Sequence, residues 1–154
     1  MSTDEVTQPW TLRSTLVAVA DLERSIAFYG ELGPFPVIAR EDAVAVVGDV
    51  APSSPVIALR ETSSRHQTRH GQQSLGVRSM TFNVGSRQEI DRIESFLRSR
   101  DLFTDRRQVH NGASDLLRGR DPDNLPLLFA YYEADTIGAD YYEEAIGLFY
   151  SLDA

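Results

Sequence analysis

VAVADLERSIAFYGELG, residues 17–33, is the stretch whose reading decides the fold. It continues RSTLVAV (13–19), a β-branched run that suits a strand. Asp21 stands where a helix can be capped, with Arg24 and Ser25 in the first turns. Leu22, Ile26 and Tyr29 fall at helical spacing and give LERSIAFYGEL an apolar face. Gly30 and Gly33, with Pro34, end the helix.

Downstream come three short strand-like runs, PFPVIAR, DAVAVVGD and SPVIALRET, separated by turn residues at Glu41–Asp42 and Gly48–Ser54. Residues 63–76, SSRHQTRHGQQSLG, are polar and weakly patterned and read as a linker loop. Then the pattern restarts. VRSMTFNV is a strand. SRQEIDRIESFLRSR is an amphipathic helix with Ile90, Ile93, Phe96 and Leu97 on one face and Ser86 as its cap. FTDRRQVHN, ASDLLRGRD and LPLLFAYYE are three more strands. The chain reads βαβββ, loop, βαβββ, with a repeat of about 63–65 residues. Neither half covers its own sheet well, so the two are expected to pack as a single domain over 1–154. The first module is 12–62, the linker 63–76 and the second module 77–133. In the tail, 134–154, GADYYEEAIGLFYSL has Tyr142, Ile146 and Phe149 on one stripe, which predicts a C-terminal helix.

The 154 residues, 42% of them hydrophobic, are enough for one ordinary core. The absence of cysteine excludes disulfides, thiolate metal sites and a thiol nucleophile. No apolar run approaches membrane-spanning length. The acidic, polar MSTDEVTQPW is unlike a signal peptide, so a cytoplasmic location is expected. The net charge is −8, and every basic residue is arginine. From Glu133 to Ala154 there are six acids and no arginine, which reads as a solvated helix face. With no basic stripe and an acidic balance, nucleic acid is not an expected partner.

VAVADLERSIAFYGELG at 17–33 and GRDPDNLPLLF at 119–129 resemble the vicinal oxygen chelate superfamily, which holds glyoxalase I, extradiol dioxygenases and bleomycin-resistance proteins. The first resembles that family's opening strand–helix junction, in which the aspartate caps the helix and the FY pair packs it on the sheet. The second is similar to its closing DPDGN turn and strand, with Asn124 in the glycine position and Leu125 in the asparagine position. The resemblance covers roughly residues 12–132. It implies an α+β fold: two βαβββ modules forming a curled mixed sheet around a cleft, here with an added C-terminal helix. It also implies a homodimer.

In the family a divalent metal sits in the cleft, held by one residue from the first and last strand of each module. Carried over, those positions are Ser14, Ala58, Ser79 and Leu128. None is His, Glu, Gln or Asp, and a shift of one residue brings no better donors. Such a metal needs three or four nitrogen or oxygen donors. The expectation is that no metal or other cofactor is bound. Strand alternation puts Ser14, Leu16, Ala18, Ala58, Arg60, Ser79, Thr81, Asn83, Leu128, Ala130 and Tyr132 on the cleft face. Ser14, Leu16, Ala58, Arg60, Ser79, Thr81, Leu128 and Tyr132 are the ligand-binding candidates, and no catalytic residue is assigned. Arg60 could grip a carboxylate or phenolate, or form a salt bridge to Glu61 or Asp115. Tyr132 could stack on a flat ligand, or pack in the core.

His66 and His70, four apart in RHQTRH, read as solvated loop residues for want of a third ligand. His110 could serve as a general base oriented by Asp115, but it has no paired nucleophile. There is no G-x-S-x-G elbow and no G-x-G-x-x-G loop. The leading function is a metal-free small-molecule-binding protein of the glyoxalase/bleomycin-resistance type, sequestering an aromatic or peptidic natural product as in antibiotic resistance. The alternatives are a metal-independent isomerase or lyase, or a degenerate interaction module docking through its C-terminal helix.

Overall fold

A computed structural model describes residues 12–49, 54, 56–62, 77, 79–109 and 111–133. The loop at 63–76, the C-terminal helix, His66, His70 and His110 lie outside the described residues. The chain divides into two compact units, Met1–Ser64 and Arg65–Ala154.

In the first unit, β1 (Ser14–Val19) leads into α1 (Leu22–Leu32), followed by β2 (Val37–Glu41), β3 (Val44–Gly48) and β4 (Val56–Glu61). The strands lie in the order β1-β4-β3-β2. β1 is parallel to β4, and the other pairs are antiparallel. Asp21 is extended and its carboxylate accepts from the Arg24 amide at 3.0 Å, which starts the helix where the sequence places it. The Glu61 carboxylate, at the end of β4, accepts from the Leu22 amide at 3.3 Å and ties the helix start to the sheet. Gly33, not Gly30, caps the other end.

The buried face of α1 is Leu22, Ser25, Phe28, Tyr29 and Leu32, with Ile26 half-buried beside it. The stripe is rotated from the Leu22–Ile26–Tyr29 line because the large Phe28 and Tyr29 rings take the sheet side. They meet edge to face at 5.1 Å, and Tyr29 meets Phe35 at 6.4 Å. Beneath them lie Val19, Ala45, Val47, Ile57 and Leu59, all buried. Each large apolar side chain so covered contributes roughly 1.5–3 kcal/mol.

The second unit repeats the plan with β5 (Met80–Asn83), α2 (Arg87–Ser99), β6 (Phe103–Val109), β7 (Ser114–Arg120) and β8 (Pro126–Tyr132). The order is β5-β8-β7-β6, with β5 parallel to β8. Ser86 caps α2 by accepting from the Glu89 amide at 3.1 Å. Ile90, Ile93 and Leu97 are buried, whereas Phe96 sits at the margin. Phe82 and Phe129, paired in register, stack at 5.6 Å.

The DPDN turn between β7 and β8 is organised by Asp121, which is 1% exposed. Its Oδ1 accepts from the amides of Asp123 at 2.8 Å and Leu125 at 2.9 Å. Asn124 takes φ +73°, the left-handed conformation that glycine enters freely and asparagine tolerates.

Candidate functional site

In each unit one sheet face carries the helix and the other is turned away from it. Cross-strand register assigns the residues of that second, open face. In the first unit its rows are Ser14–Val56–Gly48, Leu16–Ala58–Val46–Ala39 and Ala18–Arg60–Val44–Glu41. Leu16 therefore stands directly opposite Ala58, with Ser14 and Arg60 one row to either side. Leu16 is 62% exposed, an unusual state for a leucine in a strand. Ser14, Ala18 and Arg60 are exposed, and Ala58, Val46 and Val44 are half-buried. No hydrogen bond or ion pair engages the Arg60 side chain among the described residues, so neither Glu61 nor Asp115 pairs with it.

In the second unit Thr81 stands opposite Leu128, and Leu128 stands opposite Arg118. Tyr132 pairs with Ser114 beyond the end of β5, and Ser79 immediately precedes that strand. This face is more enclosed. Leu128 is 3% exposed, and Ala130, Leu116 and Ser114 are also buried, with Val109 packed against the pair Leu116 and Ala130. Thr81 is exposed and Tyr132 half-buried.

The four positions at which the resemblance puts metal ligands do not fit a divalent cation. Ser14 and Ser79 offer hydroxyls, Ala58 a methyl group, and Leu128 a buried isobutyl group. Across the ladder from Leu128, Arg118 presents a guanidinium, which has no lone pair to give a metal. Arg118 is neutralised by Asp105, its cross-strand neighbour, through two hydrogen bonds, one of 2.6 Å from Nε. Those bonds, with a further one of 2.9 Å from Arg107, hold the Asp105 carboxyl down to about 2 against partial burial. Among the described residues no group of three or more His, Asp or Glu side chains is placed to hold a metal ion.

Asp115 has another role. It lies on the helix side of β7 and is 1% exposed. Its carboxylate accepts from Arg87 Nε at 3.1 Å, Arg106 Nε at 3.4 Å and an Arg106 terminal nitrogen at 3.2 Å. Arg87, the first residue of α2, also reaches Glu133 at 2.7 Å and the Gly112 carbonyl at 2.6 Å, and lies over the Tyr131 ring. Arg106 also reaches Asp91 at 2.6 Å and Glu94 at 3.4 Å on α2. A buried carboxylate is strongly unfavourable unless paired, and two guanidiniums meet that demand. The network clamps α2 onto β6, β7 and the end of β8, and it occupies the carboxylate that could otherwise orient His110. Sequence reasoning overlooked the clamp, although its sign is present. Asp115 shares the helix-facing parity of Leu117 and Gly119, where an acid requires cations.

No family model matches the sequence, and no curated protein matches it. Solved structures do. A glyoxylase/bleomycin resistance protein/dioxygenase domain from Frankia sp. EAN1pec superimposes with a TM-score of 0.67 at 22% identity, over 89% of this chain and 99% of that one. Lactoylglutathione lyase from Agrobacterium tumefaciens gives 0.60 at 15% identity, over 84% of this chain and 98% of that one. A glyoxalase family protein from Enterococcus faecalis gives 0.60 at 18%, over 78% and 96%. Together with the repeated βαβββ topology and the capped α1 junction, these similarities establish that the chain has the fold of the glyoxalase, bleomycin-resistance and dioxygenase proteins, the vicinal oxygen chelate fold.

Proposed function

We propose that this chain is a metal-independent small-molecule-binding protein of the glyoxalase/bleomycin-resistance type, which sequesters an aromatic or peptidic organic molecule and works as a homodimer in the cytoplasm. The observation that carries the reading is the donor set. The resemblance puts the family's ligand positions at Ser14, Ala58, Ser79 and Leu128, none of which carries a side chain that binds a divalent cation well. Glyoxalase and dioxygenase chemistry uses the ion as Lewis acid or template, and these side chains are poor ligands for it. What the open face of the first unit offers instead is exposed apolar surface at Leu16 beside the Ser14 hydroxyl and the Arg60 guanidinium, which has no partner among the described residues, a lining suited to an organic ligand. Leu16, Ala58 and Arg60 of the first unit and Ser79, Thr81, Leu128 and Tyr132 of the second are the contacts proposed, with Ser14 at the margin. The isomerase or lyase alternative draws on His110, and the engagement of Asp115 by two arginines weighs against it.

The test is titration calorimetry of the purified protein against a panel of glycopeptide and aromatic natural products, with and without a chelator. Saturable binding that the chelator leaves unchanged is expected. Binding that appears only after zinc, manganese or iron is added, or no binding by any member of the panel, would overturn the reading. Sedimentation at micromolar concentration tests the dimer.

A further inference from the structure

We infer that the open face of the first sheet selects a zwitterion, with its anionic group on Arg60, its cationic group on Glu41 and an apolar body between them. The inference deepens the binding reading above and rests on it. Arg60 and Glu41 lie in one cross-strand row, Ala18–Arg60–Val44–Glu41. Both side chains are exposed, and neither forms a hydrogen bond or ion pair among the described residues. Their neighbours behave differently. Arg40, next to Glu41 but on the helix face, is bound to Glu23, and Glu61, next to Arg60, accepts from the Leu22 amide. Of these four charges, the two without a partner among the described residues are the two that point away from α1.

Two strand spacings separate Arg60 from Glu41, about 10 Å at the backbone, and the two form no ion pair with each other among the described residues. Val44 lies between them, and the adjacent row is Leu16, Ala58, Val46 and Ala39. Opposite unpaired charges at the two ends of an apolar strip complement a molecule carrying the reverse dipole. A purely anionic ligand would meet Glu41, and a purely cationic one Arg60. A molecule with both charges gains at each end, by the modest amount expected of exposed ion pairs.

A straight-chain ω-amino acid is a ruler for this geometry. In 8-aminooctanoate the charges are about 10 Å apart when extended. Binding to the full chain is followed by amide shift changes in the NMR spectrum at low salt, with octanoate, octylamine and 4-aminobutanoate as comparisons. The expected result is that 8-aminooctanoate binds roughly three- to fivefold tighter than each of the other three. Arg60→Ala should erase its advantage over octylamine, and Glu41→Gln its advantage over octanoate. Both positions are exposed, so the folded spectrum serves as the control for each variant. Equal affinity for octanoate, octylamine and 8-aminooctanoate overturns this inference while leaving the general binding reading standing. So does an advantage that survives both substitutions. Absence of binding by every eight-carbon probe overturns it as well, and the natural-product panel then decides separately whether the wider reading falls.

Discussion

Replacing Gly119 by alanine tests how closely β7 approaches α2. A Cβ built at Gly119 would lie 2.6 Å from Leu97 Cδ1, 3.4 Å from Leu97 Cδ2 and 2.8 Å from the Leu102 carbonyl oxygen. Neither obstacle yields readily. Leu97 is fully buried, so it has no solvent into which to rotate. The Leu102 carbonyl accepts from the Arg120 amide at 2.9 Å, and the Leu102 amide donates to Leu97 at 2.9 Å, so moving that peptide breaks hydrogen bonds. Overpacking of this kind costs about 1–3 kcal/mol, and the backbone contact argues for the upper half of that range. In urea titrations followed by circular dichroism, a loss of about 2 kcal/mol with a slope near 2 kcal/mol/M lowers the midpoint by about 1 M, with the slope unchanged. Leu97→Ala alone should cost about 2–5 kcal/mol through the cavity it leaves. The double variant should cost less than the sum by about 1 kcal/mol, because the new methyl group enters that space. A Gly119→Ala variant within about 0.5 kcal/mol of the parent, or strict additivity with Leu97→Ala, would refute the reasoning.

The contacts at Asp121, Asn124, Ser25 and Asp105 set further expected outcomes. Asp121→Ala leaves the Asp123 and Leu125 amides without their acceptor and should cost about 2–3 kcal/mol by thermal unfolding, whereas Asn124→Gly at φ +73° should be near neutral and Asn124→Val should cost about 1–2 kcal/mol. Ser25 is fully buried in α1 and its hydroxyl has no hydrogen-bond partner among the described residues, so Ser25→Ala should raise stability by about 1 kcal/mol, and a drop in melting temperature would count against this packing. The Asp105 carboxyl is depressed in the folded state to about 2 from an ordinary 3.8, so its stabilisation is complete above the ordinary value and is lost as pH falls through about 2. Because that side chain is one-third exposed, solvent screening reduces the contribution to about 1 kcal/mol, and parent and Asp105→Asn melting curves should differ at pH 7 and converge near pH 2.

Much of the architecture was legible because it rests on local chemistry. A carboxylate before LERSIAFY and a hydroxyl before RQEIDRIESF can each accept an amide at a helix start, and Asp21 and Ser86 do so. The β-branched runs became strands within a few residues of where the sequence placed them. The likeness of DPDN to a glycine-containing turn put Asn124 where φ is positive. What escaped was decided across the chain. The rotation of α1 that buries Ser25 and leaves Ile26 at the margin depends on which face Phe28 and Tyr29 claim against β3 and β4. The Arg87–Asp115–Arg106 clamp joins residues from α2, β6 and β7, and no single segment announces it. Gly119 reads as an ordinary strand glycine until Leu97 and Leu102 are packed above it. At the candidate site the strand parity was readable, but whether a parity position is exposed, as Leu16 is, or enclosed, as Leu128 is, depends on tertiary cover.

The parallel pairing of β1 with β4, and of β5 with β8, joins the first and last strand of each module within one sheet. No ladder among the described residues joins a strand before Thr62 to one after Val77. A break in the chain between those two residues leaves every described ladder on one fragment, while one after Gly48 puts β1 and β4 on different fragments. That junction is therefore where the chain can be cut, permuted or spliced with every described ladder kept on one piece.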